Sequence, residues 1–301
     1  MTMELAGTQF VSKPWGAVDL GPWSRLRHDG DAIGELWFRR IDPKAPESAL
    51  LLKLLFTTQP LSIQVHPDDS FARSTGNAHG KAEAWYVLSA KPGAKVALGL
   101  KRQLSPRELR TSIDEGSIAG LVQWHDVVKD DVIYVHAGTI HALGAGLVVA
   151  EIQQRSDATF RLYDFGRQRE LHVDQAVAAA KSKPAEPQSA RRRLTDARTL
   201  LVASPEFVFE RIDLSPESHW ELNAKRETWM IIIEGRARLE DKGASVGDVV
   251  YLDADSTPLA VGSAGLKGLL AYPGPELDPG LLHPLDTPLA RPPPIAREAR
   301  L

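Results

Sequence analysis

ALLLKLLFTT, residues 49–58, is the first of a series of short apolar or alternating runs. AWYVL (84–88), AKVALGL (94–100), VIYV (132–135) and GLVVAEIQ (146–153) follow, separated by turn formers such as Lys91-Pro92-Gly93 and Ala137-Gly138. Short β-type runs punctuated by glycine and proline are the pattern of an antiparallel sandwich or barrel. Beyond residue 200 the runs resume at 206–214 (EFVFERIDL), 228–240 (TWMIIIEGRARLE) and 247–252 (GDVVYL), with Glu234-Gly235 and Gly247-Asp248 as turn signals. The second half echoes the first: Trp85-Tyr86-Val87-Leu88 and Trp229-Met230-Ile231-Ile232 are each followed by a glycine turn. The expected fold is mainly β, two related antiparallel barrels with a small helical decoration on the first.

Helices are few. Ser105-Pro106-Arg107-Glu108 supplies an N-cap, a first-turn proline and a glutamate three residues past the cap, with Gly116 as a stop. A second helical piece is expected over about 173–181, before the polar stretch 182–193 with its run Arg191-Arg192-Arg193. That stretch reads as a linker with a solvated basic face. The expected division is 1–180 with a helical insert near 104–123, a linker over 181–200, and a second unit over 201–301 with an extended closing segment from about Pro273.

At 301 residues the chain has room for about two domains, or for one large all-β unit. Its 43% hydrophobic and 25% charged content exclude a disordered chain. With 39 acidic against 36 basic residues, net charge −3, it does not suit general polyanion binding, so no nucleic-acid partner is expected. Cysteine is absent, which excludes disulfides, a thiolate nucleophile and a Cys-ligated metal. The opening MTMELAGTQFVSKPWG has no export-signal pattern, and runs such as Gly146–Ile152 are far shorter than the ~20 residues of a membrane span. A cytoplasmic protein without membrane contact is expected.

Any metal must therefore rest on histidine, carboxylate or amide oxygen. Of nine histidines, His28, His79, His125, His172, His219 and His283 have no ligand-type partner at strand spacing and read as surface or capped residues. Gln64-Val65-His66 differs, because residues i and i+2 of a strand share a face. Glu83 lies among Ala82, Ala84 and Trp85, where an unpaired carboxylate is costly to bury. His141 opens another strand-like run. One glutamine, two histidines and one glutamate make an N/O donor set suited to zinc, with positions open to water or substrate. The other reading is unrelated polar residues on β-strands.

Four ordered blocks narrow the choice: LSIQVHPDD (61–69), GKAEAWY (80–86), AGTIHA (137–142) and EIQQRSDATFRLYD (151–164), with Lys13-Pro14-Trp15-Gly16 ahead of them. Together they resemble the cupin family of type I mannose-6-phosphate isomerases, in its compact bacterial form. The resemblance implies one zinc ion per chain, ligated by Gln64, His66, Glu83 and His141. It implies a phosphosugar substrate, Arg161 and Glu151 at the active centre, and Lys81 beside the ligand Glu83. It also carries Arg167 and Ser62 to the substrate, Arg167 at its phosphate. His136 departs from the family, where proline commonly precedes Ala-Gly-Thr, and so does Arg155, where asparagine is common. The activity implied is the interconversion of mannose 6-phosphate and fructose 6-phosphate through an enediol. The competing readings are an isomerase of a different sugar phosphate, a cupin that binds a sugar phosphate without turnover, and a cupin oxygenase. The last is disfavoured because it wants redox-active iron and more histidines. The sequence leaves the oligomeric state open.

Overall fold

Both faces of the Leu50–Thr57 strand are covered, and this explains an apolar run that does not alternate: all eight residues are buried. The computed structural model describes residues 3–24 and 30–285. Leu50–Thr57 is central in a six-stranded sheet ordered Gly7–Ala17, Ile33–Arg39, Leu50–Thr57, Leu147–Gln154, Glu83–Ala90, Val132–Val135. On its outer face Leu50, Leu52, Leu54 and Phe56 form one cluster with Phe207, Phe209, Trp229 and Ile231 of the second half. On its inner face Leu55 packs with Trp85, Val87, Val96 and Leu98. The last two come from a five-stranded sheet ordered Phe160–Tyr163, Ile63–Val65, His141–Leu143, Lys95–Leu100, Val122–Asp126.

All pairings within the three sheets are antiparallel, so the mainly β class is met. The anticipated helix runs Pro106–Asp114, with Ser105 and Glu108 closing a reciprocal capping box and Gly116 at φ 71°. Ile118–Leu121 completes the insert, and Val173–Ala179 is the second anticipated helix.

Three boundaries differ from expectation. Glu4–Leu5 pairs with Tyr251 and Val250 in the ten-stranded sheet of the second half, so the chain's start crosses the 1–180 division. The 181–200 stretch is no free tether. Pro184 bridges to Gly99, Gln188 exchanges hydrogen bonds with the Tyr134 backbone, and Arg198–Ala203 is a strand. Glu234-Gly235 is not a turn, because Thr228–Leu239 is one continuous strand. Gly235 sits at φ 80° in an irregular register, and an added Cβ would lie 2.0 Å from the Gly265 carbonyl oxygen. A glycine bulge forms there instead. His28 and the tail beyond residue 285 lie outside the described residues.

Beside the shared apolar cluster, polar contacts fasten the halves together, among them two made by glutamates of the second half. The Glu227 carboxylate accepts hydrogen bonds from the backbone N–H groups of Ala49 and Leu50 at 2.6 and 2.9 Å. Tyr134 donates its hydroxyl to Glu206. The second half is stiffened by a buried Arg198–Glu210 pair. Among the described residues it contains no histidine–carboxylate cluster of metal-binding type.

Candidate metal centre and active cavity

Strand parity puts one row of side chains on the inner face of the six-stranded sheet. The register Trp37↔Lys53, Lys53↔Glu151, Glu151↔Trp85 crosses four strands, with Glu83 two residues from Trp85 on the same face. Opposite, in the five-stranded sheet, Gln64 is paired with both His141 and Arg161, and His66 follows Gln64 by two. The two sheets thus bring Gln64, His66, Glu83 and His141 together from separate parts of the chain.

His66, Glu83 and His141 are fully buried, with their ligand-type atoms all within 4.8 Å of one another. His66 Nδ1 lies 3.0 Å from the Ala158 carbonyl oxygen, and His141 Nδ1 lies 2.8 Å from that of Thr139. A carbonyl only accepts, so each ring carries its proton on Nδ1 and turns a bare Nε2 inward. Both Nε2 atoms are 3.2 Å from Glu83 oxygens. Burial and then the Lys81 charge push the His66 imidazole down to about 3, and burial likewise lowers His141. Burial alone would raise the Glu83 carboxyl, but the Lys81 ammonium wins and holds it well below the usual range.

The cluster is thus a convergence of acceptors: two neutral imidazole lone pairs and a carboxylate. Lys81 Nζ meets part of the demand for a cation, 2.9 Å from both Glu83 Oε2 and His66 Nε2. Even with these nitrogens close by, neither Glu83 oxygen accepts a well-directed hydrogen bond. Gln64 stands at the same point, its amide nitrogen 3.3 Å from His141 Nε2. A half-turn of that amide presents its oxygen, and Ser62 Oγ, 3.2 Å from Gln64 Oε1, can donate or accept in either orientation. This donor set fits a divalent metal, with the backbone carbonyls on Nδ1 fixing both rings.

Above the cluster is a cavity of about 340 Å³. Its wall includes Ser62, Gln64, Lys81, Glu151 and Arg161, so five of the nine residues singled out in the sequence meet there, with His66, Glu83 and His141 buried beside them. Five cations, Lys13, Lys53, Lys81, Arg161 and Arg169, face three carboxylates, Glu35, Glu151 and Asp157, a balance favouring an anionic ligand. Burial, and then the Glu83 charge, raise the Glu151 carboxyl above the ordinary value. Trp85 Nε1 donates to Glu151 Oε2 at 3.0 Å. A neighbouring cleft of about 560 Å³ shares Trp37 and Asp157 with this cavity but has no histidine in its wall.

No protein-family model matches the chain. Its sequence is 39% identical over 174 residues to mannose-6-phosphate isomerase of Streptococcus mutans, covering 55% of each chain. It is 35% identical over 163 residues to mannose-6-phosphate isomerase ManA of Bacillus subtilis, covering 50% of this chain and 51% of that one. The matched stretch spans about half the length of these curated relatives. The solved structure of the Bacillus subtilis mannose 6-phosphate isomerase superposes with a TM-score of 0.78 at 26% identity, covering 90% of this chain and all of that one. By these likenesses the chain is similar to mannose-6-phosphate isomerases, over about half of its sequence and nearly all of its fold. One residue carried over by resemblance sits differently. Arg167 does not line the cavity: its guanidinium is held by Asp164 and the Pro60 carbonyl. Asp164 also grips Arg169 through both oxygens, and Arg169 is the one on the cavity wall. Both family departures lie off the wall. Arg155 is tied to the Ser48 and Leu50 carbonyls, and His136 is exposed, packed on Tyr134. Lys13, Glu35, Trp37 and Lys53 were not anticipated, although Glu35 between Gly34 and Leu36-Trp37 carries the same signal of a carboxylate in an apolar strand as Glu83.

Proposed function

We propose that this chain interconverts mannose 6-phosphate and fructose 6-phosphate, with the metal-binding cluster and the cavity above it as the active site. The observation that carries the reading is the meeting, in one cavity, of a histidine–carboxylate cluster, a buried carboxyl of raised proton affinity and a surplus of cations. Gln64, His66, Glu83 and His141 would hold one zinc ion per chain, which when bound polarises and orients the sugar oxygens.

Glu151 is the proton carrier. It removes the proton at C2 of the aldose and returns one at C1, and its raised proton affinity brings it toward the working pH. Arg161 stabilises the enediolate formed between the two steps. Its Nη1 is anchored on the Glu170 carbonyl at 2.6 Å, and its buried Nε has no partner. Lys81, against Glu83, is placed to hand a proton to a sugar oxygen. Ser62 orients Gln64, and Arg169, held by Asp164, offers its guanidinium to the phosphate. The second β unit has a structural role, covering the outer face of the catalytic sheet.

Formation of fructose 6-phosphate from mannose 6-phosphate is the test. Stabilisation of the protein by mannose 6-phosphate with no product would instead assign a binding cupin. Two variants separate the roles. His66→Ala should lose metal and activity together, and retained stoichiometric metal would contradict its assignment. Arg161→Ala should lower turnover by about 10²–10³ with metal content unchanged. Metal lost along with turnover would make Arg161 a structural residue.

A further inference from the structure

Four charges of alternating sign run from the mouth of the cavity to Glu151. Lys13 Nζ lies 3.2 Å from Glu35 Oε1, Lys53 Nζ lies 3.6 Å from Glu35 Oε2, and Lys53 Nζ lies 3.5 Å from Glu151 Oε1. Exposure falls along the series, from 30% at the Lys13 side chain to 10, 7 and 5% at Glu35, Lys53 and Glu151. Each carboxylate is fixed by an indole: Trp37 Nε1 donates to Glu35 Oε2 at 2.5 Å, and Trp85 Nε1 to Glu151 Oε2 at 3.0 Å. Lys53 is nearly equidistant from the two carboxylates and beyond hydrogen-bond length from both. A small swing of its flexible stem brings the ammonium onto either one. Burying this many charges stabilises a fold no better than apolar packing would, so the series points to a task beyond stability.

We infer that Glu35 and Lys53 form a proton-exchange path between Glu151 and solvent. This rests on Glu151 as the base of the proposed isomerisation. After Glu151 has taken the C2 proton, the Lys53 ammonium gives one proton to the Glu35 carboxylate and becomes a neutral amine. That amine takes the proton from Glu151 and is an ammonium again. Glu151 is returned to its carboxylate form, and Glu35 releases the proton to water at the mouth; the same steps run in reverse, from a solvent hydron taken up by Glu35, reload Glu151 with the hydron it delivers to C1. The path competes with return of the same proton to C1, so it sets how much solvent hydrogen enters the product. Glu35 and Lys53 act here on Glu151 and not on the sugar.

The experiment is conversion of mannose 6-phosphate by the metal-loaded full chain in D2O, reading deuterium at C1 of fructose 6-phosphate per molecule formed, early in the reaction. The wild type should place deuterium in part of its product. Glu35→Gln should lose most of that label per turnover, and Glu35→Asp should restore it. Lys53→Arg keeps the cation but cannot release a proton, so it should lose the label too. Because the readout is a ratio, a variant that is merely slow does not mimic the effect. A wild type without label, or Gln and Arg variants labelled like the wild type, overturns the path and leaves the isomerase reading standing. A wild type that forms no fructose 6-phosphate overturns both.

Discussion

Glu151→Gln is expected to cut turnover by about 10²–10⁴-fold, the usual worth of a positioned general base. The amide keeps the shape and the Trp85 contact but cannot take a proton. Glu151 ligates nothing in the His66–Glu83–His141 cluster, so bound metal per chain should not change. The loss should fall on kcat more than on KM, since a base acts in the transition state. The wild-type pH profile carries the same signature. Burial and the Glu83 charge raise the Glu151 carboxyl, so the base form is lost as pH falls through a value above the ordinary carboxylate range. Activity should therefore decline on the acid side earlier than a free glutamate would predict. Turnover by the glutamine variant within tenfold of wild type would mean that Glu151 only holds Lys53, which sits 3.5 Å away.

Glu210→Gln should destabilise the protein by about 3–5 kcal/mol, because it leaves a buried guanidinium without its counter-charge. Arg198 is 2% exposed and Glu210 fully buried. Two parallel bonds of 2.8 Å join them, and the Tyr272 hydroxyl donates to Glu210 Oε1 at 2.5 Å. The pair lies in the sheet of the second half, with Arg198 also bonded to the Pro279 carbonyl, and it makes no contact with the cavity. Urea unfolding should show the loss, while turnover below the transition stays near wild type. Replacing both partners together, Arg198→Met with Glu210→Leu, should cost less than the single change, because no charge is left unpaired. A single variant as stable as wild type would mean that water reaches Arg198.

Much of the first half was legible in the sequence because strand parity and the cost of burying charge act locally. Gln64 and His66 share a face by their i, i+2 spacing, and Glu83 betrayed itself as a carboxylate among apolar neighbours. Both signals survive without knowledge of tertiary pairing. The wall formed by Gly7–Ala17 and Ile33–Arg39 was not legible in the same way. The first is an edge strand interrupted by Pro14, with Gly16 approaching the Ile33 backbone so closely that no Cβ fits. Lys13, Glu35 and Trp37 were missed with these strands. Arg167 and Arg169 occupy an irregular segment after Phe160–Tyr163, where no periodicity tells which guanidinium Asp164 turns toward the cavity. The crossing of Glu4–Leu5 into the second sheet rests on two residues, too few to form a pattern.

The most direct test is a coupled assay of fructose 6-phosphate formed from mannose 6-phosphate, run on the protein as purified, after chelation, and after addition of zinc. The account predicts turnover that chelation abolishes and zinc restores, with one metal ion bound per chain in the active form. Turnover that persists in fully metal-stripped protein, or none in folded protein with its zinc confirmed, would contradict it.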